Sequence, residues 1–505
     1  MSDKSIFDEI REIGEDGVPI YKMLVDGKWI DPSDGKTFEV RNPADSSLVG
    51  RVPSATKEDV LDAIEVTYRG KNRIRACPAI ERIELFEIVR NLLEQYKSDF
   101  VNMIVKEAGK PIKVVEGEVK ATMERLRLTM EETRKIYGEY LPGDWVDDTI
   151  GKVAFVIRQP LGVIAAICPF NYPLYIATSK IAPALVSGNG VIVKPSSEDP
   201  ICLLMFARLL QEAGFPDGCI NFVTGRGGEI GDLIVTHDKV NMITFTGSTE
   251  VGKRIGHLIG MKERHLELGG KGAGIVLDDA DLDLAAKKCV TGALKFSGQR
   301  CDALSNFFVQ ENVKEIFVKK VLKEVDKWKM GDPIDPATDI GPLINERAIK
   351  RIDALVQNAI KKGAKLLRGG KYKDLFYEPT VLDKVTLDME VAKEEIFGPV
   401  ISIITVKDLD EAIELANKSK YGLDSSVFTN NLYKAWKAGK KLDDGTVTIN
   451  DAPAHGVGNF PFGGNKNSGI GREGLGYSID EMTRIHTIVI NMVPGALHKE
   501  RQVLI

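Results

Sequence analysis

Between residues 161 and 252 the chain repeats one pattern: a short apolar run ends on a polar residue or a glycine turn, and a helical stretch follows. Residues 161–167, 191–193, 220–223 and 242–245 read as strands. Lys194-Pro195 closes the second, GRGGEIG (225–231) opens a helix after the third, and TGSTEVG (246–252) opens one after the fourth. Asp199-Pro200 reads as an N-cap followed by proline at the first helical position. Strict strand–helix alternation predicts a parallel, doubly wound α/β sheet, because parallel neighbours need a long crossover that a helix supplies.

A second α/β stretch begins near Lys271. Residues 274–277 read as a strand and 281–297 as a helix; GQRC (298–301) follows, and the alternation continues to about residue 450. Upstream, Leu85, Phe86, Val89, Leu92, Leu93 and Tyr96 share one face of a helix over 79–97, and 112–137 reads as another long helix. Residues 153–157 read as a strand cut by Pro160. The terminal run 484–492 reads as a strand whose open edge calls for pairing, with another subunit or within its own sheet.

Composition narrows the function classes. The 505 residues hold 68 Lys+Arg against 73 Asp+Glu, a net charge of −5 spread along the chain, without the basic patch of a nucleic-acid binder. The longest apolar run, 161–170, is interrupted by a glycine and a proline and is too short to span a bilayer. The opening MSDKSIFDEI is too acidic for a secretory leader, so a cytoplasmic protein is expected. Six scattered cysteines form no C-x-x-C pair, which argues against a disulfide scaffold and against a metal site.

Ligands of a parallel sheet bind outside the carboxyl ends of its strands. Lys194, Thr246, Ser248 and Asn171 all fall at or just beyond such ends. Each alone reads equally as a solvated loop residue; together they suggest a nucleotide crevice. The glycine loops are imperfect. Gly225-x-Gly227-x-x-x-Gly231 has the wrong last spacing, and Gly247-x-Thr249-x-x-Gly252 carries Thr in the middle. Cys301 follows Arg300, and a neighbouring cation would favour its thiolate; the other five cysteines read as buried apolar residues. Glu267, in HLELGGK, reads as a desolvated general base or as a strand-end ion pair. Glu395 and Phe397, in EEIFGP, read as a ribose-and-ring cradle or as a charged loop.

PFNYP (169–173), ELGGK (267–271), GQRC (298–301), EEIFGP (394–399) and PFGGNKNSGIGRE (461–473), in this order and spacing, resemble the aldehyde dehydrogenase superfamily. The resemblance runs from about residue 24 to 492, and the family's atypical G-x-T-x-x-G loop matches residues 247–252. It implies an α/β fold of two doubly wound parallel-sheet domains with a small β oligomerisation arm. Residues 1–140 and 160–268 would form the dinucleotide-binding domain, 269–465 the catalytic domain, and 141–159 with 480–505 the arms of a homo-oligomer, a dimer of dimers. Cys301 matches the nucleophile. Asn171, with the Cys301 backbone N–H, matches the oxyanion donor, and Glu267 the base that hydrolyses the thioester. Lys194 and Ser197 match contacts to the adenosine ribose; Gly225, Thr246, Gly247, Ser248, Leu268, Glu395 and Phe397 match the rest of the cofactor cleft. Many members that prefer NAD carry Glu where this chain has Ser197. A neutral donor beside Lys194 accepts a 2′-phosphate, so NADP is expected, with NAD possible.

Within the superfamily, GRGGEIGD (225–232), FTGST (245–249), FSGQRC (296–301) and NFPF (459–462) resemble the non-phosphorylating glyceraldehyde-3-phosphate dehydrogenases most closely. That implies oxidation of D-glyceraldehyde 3-phosphate to 3-phosphoglycerate, with Tyr172 and Arg300 on the substrate. Two positions depart from that pattern. Ala121 stands where the bacterial form has Arg, with Arg125 one turn later, and His455 replaces a second Arg. Another small aldehyde, such as succinate semialdehyde or lactaldehyde, and a non-catalytic family member are the alternatives. A phosphorylating dehydrogenase is disfavoured by the absence of an S-C-T-T-N run.

Overall fold

The computed structural model describes residues 5–453 and 455–492. Val163–Ile167 and Gly190–Lys194 are buried at every position, which is why their sequences are continuously apolar rather than alternating. They lie at the centre of an eight-stranded sheet. Its parallel core runs Glu263–Glu267, Met242–Thr246, Val163–Ile167, Gly190–Lys194, Ile220–Phe222. The helices Pro173–Val186, Ile201–Glu212, Gly227–Thr236 and Thr249–Leu258 follow successive strands of this core. Its edges are antiparallel: Met23–Val25 pairs with Ile220–Phe222, and Gly469–Ile470 with Glu263–Glu267. Those short edge strands, and a four-stranded sheet built from segments between Arg11 and Pro53, were not legible as strands.

The Asp199-Pro200 reading is corrected. The helix spans Ile201–Glu212 with Pro200 at the cap position. Its first amides, Ile201 N and Cys202 N, donate to Glu107 at 2.9 and 2.8 Å, so the cap comes from a distant helix. Asp199 is fully buried with no hydrogen-bond partner on either oxygen, and burial beside Glu107 holds its pKa well above the carboxylate range.

A seven-stranded sheet follows, with parallel neighbours Thr380–Asp383, Val400–Val406, Leu304–Gln310, Gly272–Val276, Asp424–Phe428 and Thr446–Ile449. Lys365–Arg368 adds antiparallel at one edge. The helix expected over 281–297 stops at Leu294; the backbone then turns left-handed at Phe296 (φ 52°), Ser297 (φ 53°) and Gly298 (φ 69°). Two bulky or polar residues in that region mark a constrained loop.

The terminal strand, Thr483–Asn491, pairs along its whole length with Lys152–Pro160 of the same chain, and Glu139–Pro142 completes a three-stranded antiparallel sheet. Pro160 therefore ends the preceding strand rather than cutting it. Ile485 and Val489 remain 66% and 61% exposed on this sheet. Of the expected oligomerisation segment 480–505, residues 493–505 lie outside the described residues, as do residues 1–4 of the first segment. Among the described residues no helix is long and apolar enough to cross a membrane.

Candidate active site

The eight-stranded sheet presents the carboxyl ends of its strands to the cleft, and the seven-stranded sheet presents amino ends. Thr246 pairs level with Glu267, and Lys194 with Ile167. Asn171 stands in the turn that follows Ile167. Cys301 just precedes Leu304–Gln310, Glu395 and Phe397 precede Val400–Val406, and Asp424 begins its strand. Residues 268–271 carry the chain from one sheet to the other.

The loop that carries Cys301 is anchored by side chain to backbone. Ser297 Oγ donates to Gly341 O (2.9 Å), Gln299 Nε2 to Pro342 O (3.3 Å), and Ile344 N to Gln299 Oε1 (2.9 Å). Opposite it, a Cβ on Gly270 would lie 2.1 Å from the Cys301 carbonyl oxygen, so only glycine fits there. Burial, and then the carboxylates of Asp302, Glu267, Glu395 and Asp424, push the Cys301 thiol well above its ordinary pKa. This overturns the expectation that Arg300 would favour the thiolate: Arg300 Nη2 is committed to Asp302 Oδ2 at 2.6 Å.

Asn171 is propped by a pair that sequence reading missed. Lys110 Nζ donates to the Asn171 carbonyl (2.9 Å) and to Glu118 (2.6 Å), both side chains fully buried, and sits 3.3 Å from the Tyr172 ring centroid. Glu118 Oε1 in turn accepts from Leu174 N (3.0 Å) and Tyr175 N (3.2 Å) at the start of the Pro173–Val186 helix. Tyr172 packs edge-on against Phe296 of the Cys301 loop, 6.1 Å between centroids.

Glu267 is buried. Burial pushes its pKa to about 7, against the pull of His265. Its Oε1 lies 2.9 Å from His265 Nε2, while Oε2 has no hydrogen-bond partner. His265, also missed, meets Glu481 through Nδ1; burial opposes its protonation, yet the two carboxylates push its pKa to about 9.

Most positions matched to a cofactor lie on the eight-stranded sheet's side of the cleft, with Glu395 and Phe397 on the other. Lys194 is buried, its Nζ donating to Pro195 O (3.1 Å), and burial lowers its pKa to about 8. Ser197 is half-buried, and Arg226, at the residue before the Gly227–Thr236 helix, acts with Arg347 on the Glu198 carboxylate. Gly225 has φ +156° and lies against Ile230. Ser248 caps the Thr249–Leu258 helix, and a Cβ on Gly247 would meet the Phe245 ring at 2.5 Å. Thr246 Oγ1 is buried without a partner. Leu268 packs over Gly252. Glu395 Oε1 accepts from Gly270 N (3.1 Å), and Phe397, at φ 54°, meets Phe170 edge-on at 5.8 Å.

The residues matched to substrate are less free than their sequence suggests. Besides the Arg300–Asp302 pair, His455 Nε2 lies 3.3 Å from Asp424 Oδ1. Arg125 is buried, its Nη1 donating to Val457 O (3.3 Å) and standing 3.8 Å from Glu473. Each cation already has a carboxylate within ion-pair reach.

Residues 29–488 match the model of the aldehyde dehydrogenase family. The NADP-dependent glyceraldehyde-3-phosphate dehydrogenase of Streptococcus equinus is 42% identical over 94% of this chain and 99% of its own length. A lactaldehyde dehydrogenase of Methanococcus maripaludis is 39% identical over 93% of this chain and all of its own. The crystal structure of an NADP-dependent glyceraldehyde-3-phosphate dehydrogenase from Bacillus halodurans, complexed with NADP, superposes with a TM-score of 0.92 at 42% identity, covering 94% of this chain and 99% of that one. The Cys301 loop and the desolvated Glu267 carboxylate, carried on two α/β sheets joined by ELGGK, agree with these likenesses: the chain belongs to the aldehyde dehydrogenase family.

Proposed function

We propose that the chain oxidises D-glyceraldehyde 3-phosphate to 3-phosphoglycerate without inorganic phosphate, with NADP⁺ as acceptor and NAD⁺ as a second choice. The observation that carries this is Arg300 beside the nucleophile and Tyr172 beside the oxyanion residue, within a cleft holding Cys301, Asn171 and Glu267. The two glyceraldehyde-3-phosphate dehydrogenases at 42% identity support the substrate and the cofactor.

The cleft suits a dinucleotide. Two helices, Gly227–Thr236 and Thr249–Leu258, begin just beyond strand ends, where free N–H groups and the helix dipole favour phosphate. Buried Thr246 Oγ1 lacks a partner, and Lys194 has only its neighbour's carbonyl. Ser197 with Lys194 and Arg226 would hold a 2′-phosphate. A dinucleotide held there would supply the two-electron acceptor for oxidation of the substrate adduct.

The protein's own groups do the rest. Cys301 Sγ releases its proton to solvent water and adds to the aldehyde carbon, whose C=O π electrons pass to the oxygen. Asn171 and the Cys301 N–H stabilise the oxygen as it gains charge, the interaction that strengthens most in the transition state. Glu267 Oε2 then takes a proton from water as the water oxygen attacks the thioester and the C–S bond breaks.

Residues 1–140 with 160–268 serve as the cofactor domain in this reading, and 269–465 as the catalytic domain. Segments 141–159 and 480–505 form the contact of a homo-oligomer, a dimer of dimers, supported by the exposed apolar side chains of the arm sheet. The reducing cytoplasm suits an enzyme that needs a free thiol.

A panel of phosphorylated, anionic and neutral aldehydes, assayed for NADPH and NADH without added phosphate, tests the assignment. Glyceraldehyde 3-phosphate should show the highest kcat/KM, and NADP⁺ should be used at least as well as NAD⁺. A higher kcat/KM for a neutral aldehyde overturns the substrate, and a hundredfold preference for NAD⁺ overturns the cofactor. A second reading, a small hydroxyaldehyde such as lactaldehyde, draws on the Arg300–Asp302 and His455–Asp424 pairs, which leave less positive charge for a phosphate.

A further inference from the structure

Glu267 does not stand alone. Successive side chains of a strand alternate between faces, so His265 and Glu267 on Glu263–Glu267 project from the same face. His265 bridges Glu267 on one side and Glu481 on the other. Glu481 closes the helix Leu475–Glu481, two residues before the arm strand, and its Oε1 accepts from Arg472 N at 2.8 Å. Gly471 completes the enclosure: a Cβ there would lie 2.6 Å from Glu481 Oε1 and 2.7 Å from His265 Nδ1. The His265 side chain is only 4% exposed, whereas the Glu481 side chain is 28% exposed.

We propose that His265, held as an imidazolium by Glu481, is the positioning residue for the hydrolytic base: it fixes Glu267 Oε1, keeps that buried carboxyl ionised, and leaves Oε2 for water. The proposal rests on the reading of Glu267 as base. A buried carboxylate without a cation would take up a proton and lose its function. The groups facing this cluster are His265 on the same strand, Lys180 from the helix Pro173–Val186, Glu473 from the loop before Leu475, Glu481, and Cys301. Glu473 is itself neutralised by Arg125 and Lys180, so His265 is the one cation in hydrogen-bond contact with Glu267 among the described residues. During hydrolysis the water proton passes to Glu267 Oε2, the water oxygen bonds to the carbonyl carbon, and the thiolate leaves. His265 keeps its own protons throughout.

The test needs neither the aldehyde nor the dinucleotide. Full-length enzyme is acetylated on Cys301 with p-nitrophenyl acetate and freed of reagent, and loss of the acetyl group is followed by intact-protein mass across pH 5–9. In the unsubstituted enzyme the decay rate should rise with pH around about 7. In His265→Gln the midpoint should move up by about one unit, so that decay at pH 7 slows by up to about tenfold and recovers at alkaline pH. A uniform slowing with an unmoved midpoint, or a profile superimposable on the parent's, overturns the proposal. The acetylated Glu267→Gln control separates the two claims: if it decays like the parent, the base reading itself fails. Should His265→Gln not fold, histidine NMR of the unsubstituted enzyme decides: the His265 ring should stay protonated past pH 8, and Glu481→Gln should lower its midpoint. A ring neutral at pH 7 overturns the proposal.

Discussion

The two large sheets meet the cleft with opposite ends, and their chemistry differs accordingly. The eight-stranded sheet offers carboxyl ends, and a helix follows four of its five parallel strands; Glu118 and Glu107 occupy two of those N-termini, leaving the starts of Gly227–Thr236 and Thr249–Leu258 as dipole ends suited to phosphate. The seven-stranded sheet offers amino ends, and the helix Leu282–Leu294 arrives at the nucleophile loop with its C-terminus. Among the described residues no helix N-terminus leads into Cys301, and burial, then four carboxylates, raise its thiol pKa. On one side Thr246 Oγ1 has no partner and Lys194 only its neighbour's carbonyl; on the other Arg300 is paired with Asp302 and His455 with Asp424.

That contrast breaks first at Glu267. Glu267→Gln should lower kcat by about 10²–10⁴, and an initial burst of reduced dinucleotide in stopped flow should persist, since only thioester hydrolysis needs the base. The parent's kcat should fall as pH drops through about 7, because the base works only when ionised. Asn171→Ala should cost about 10²–10³ in kcat and abolish the burst, because oxyanion stabilisation precedes the thioester. On the opposite side, Arg300→Ala should raise KM for glyceraldehyde 3-phosphate by about 10–100-fold, the worth of a hydrogen bond to a charged group, and change KM little for a neutral aldehyde. An equal rise for both would show that the arginine serves the loop rather than the substrate. The smallest effect concerns the resting thiol. Iodoacetamide should alkylate Cys301 at least about tenfold more slowly at pH 7 than a free cysteine, the rate still climbing above pH 9, because its thiolate forms only beyond the ordinary range. A rate that levels off below pH 8 would erase the electrostatic difference between the sides.

Much of this was written in the sequence, for identifiable reasons. Strands such as 163–167 and 190–194 are buried on both faces and stand out as unbroken apolar runs bounded by turns. Three-residue strands near the N-terminus carry too few positions for any period. The Glu107 cap of a helix that begins 94 residues later is invisible to local reading. Cys301, Asn171 and Glu267 drew attention because their loops are distinctive, but cations were easier to see than their partners: Arg300 looked available until Asp302 was placed beside it, and Asp424 lies 31 residues before His455. Lys110 and Glu118 were passed over as ordinary helix charges, although their burial fixes the Asn171 turn. His265 was within reach, since H-x-E on a strand puts both side chains on one face.

The missing side chain at position 270 has a consequence for the catalytic cycle as a whole. With the main chain of the ELGGK crossing pressed against the main chain of Cys301, nothing compressible lies between base strand and nucleophile loop. In the proposed mechanism the two steps would thus share a single mechanical tolerance: a displacement that improved capture of the aldehyde would be passed on to the geometry that later frees the acid.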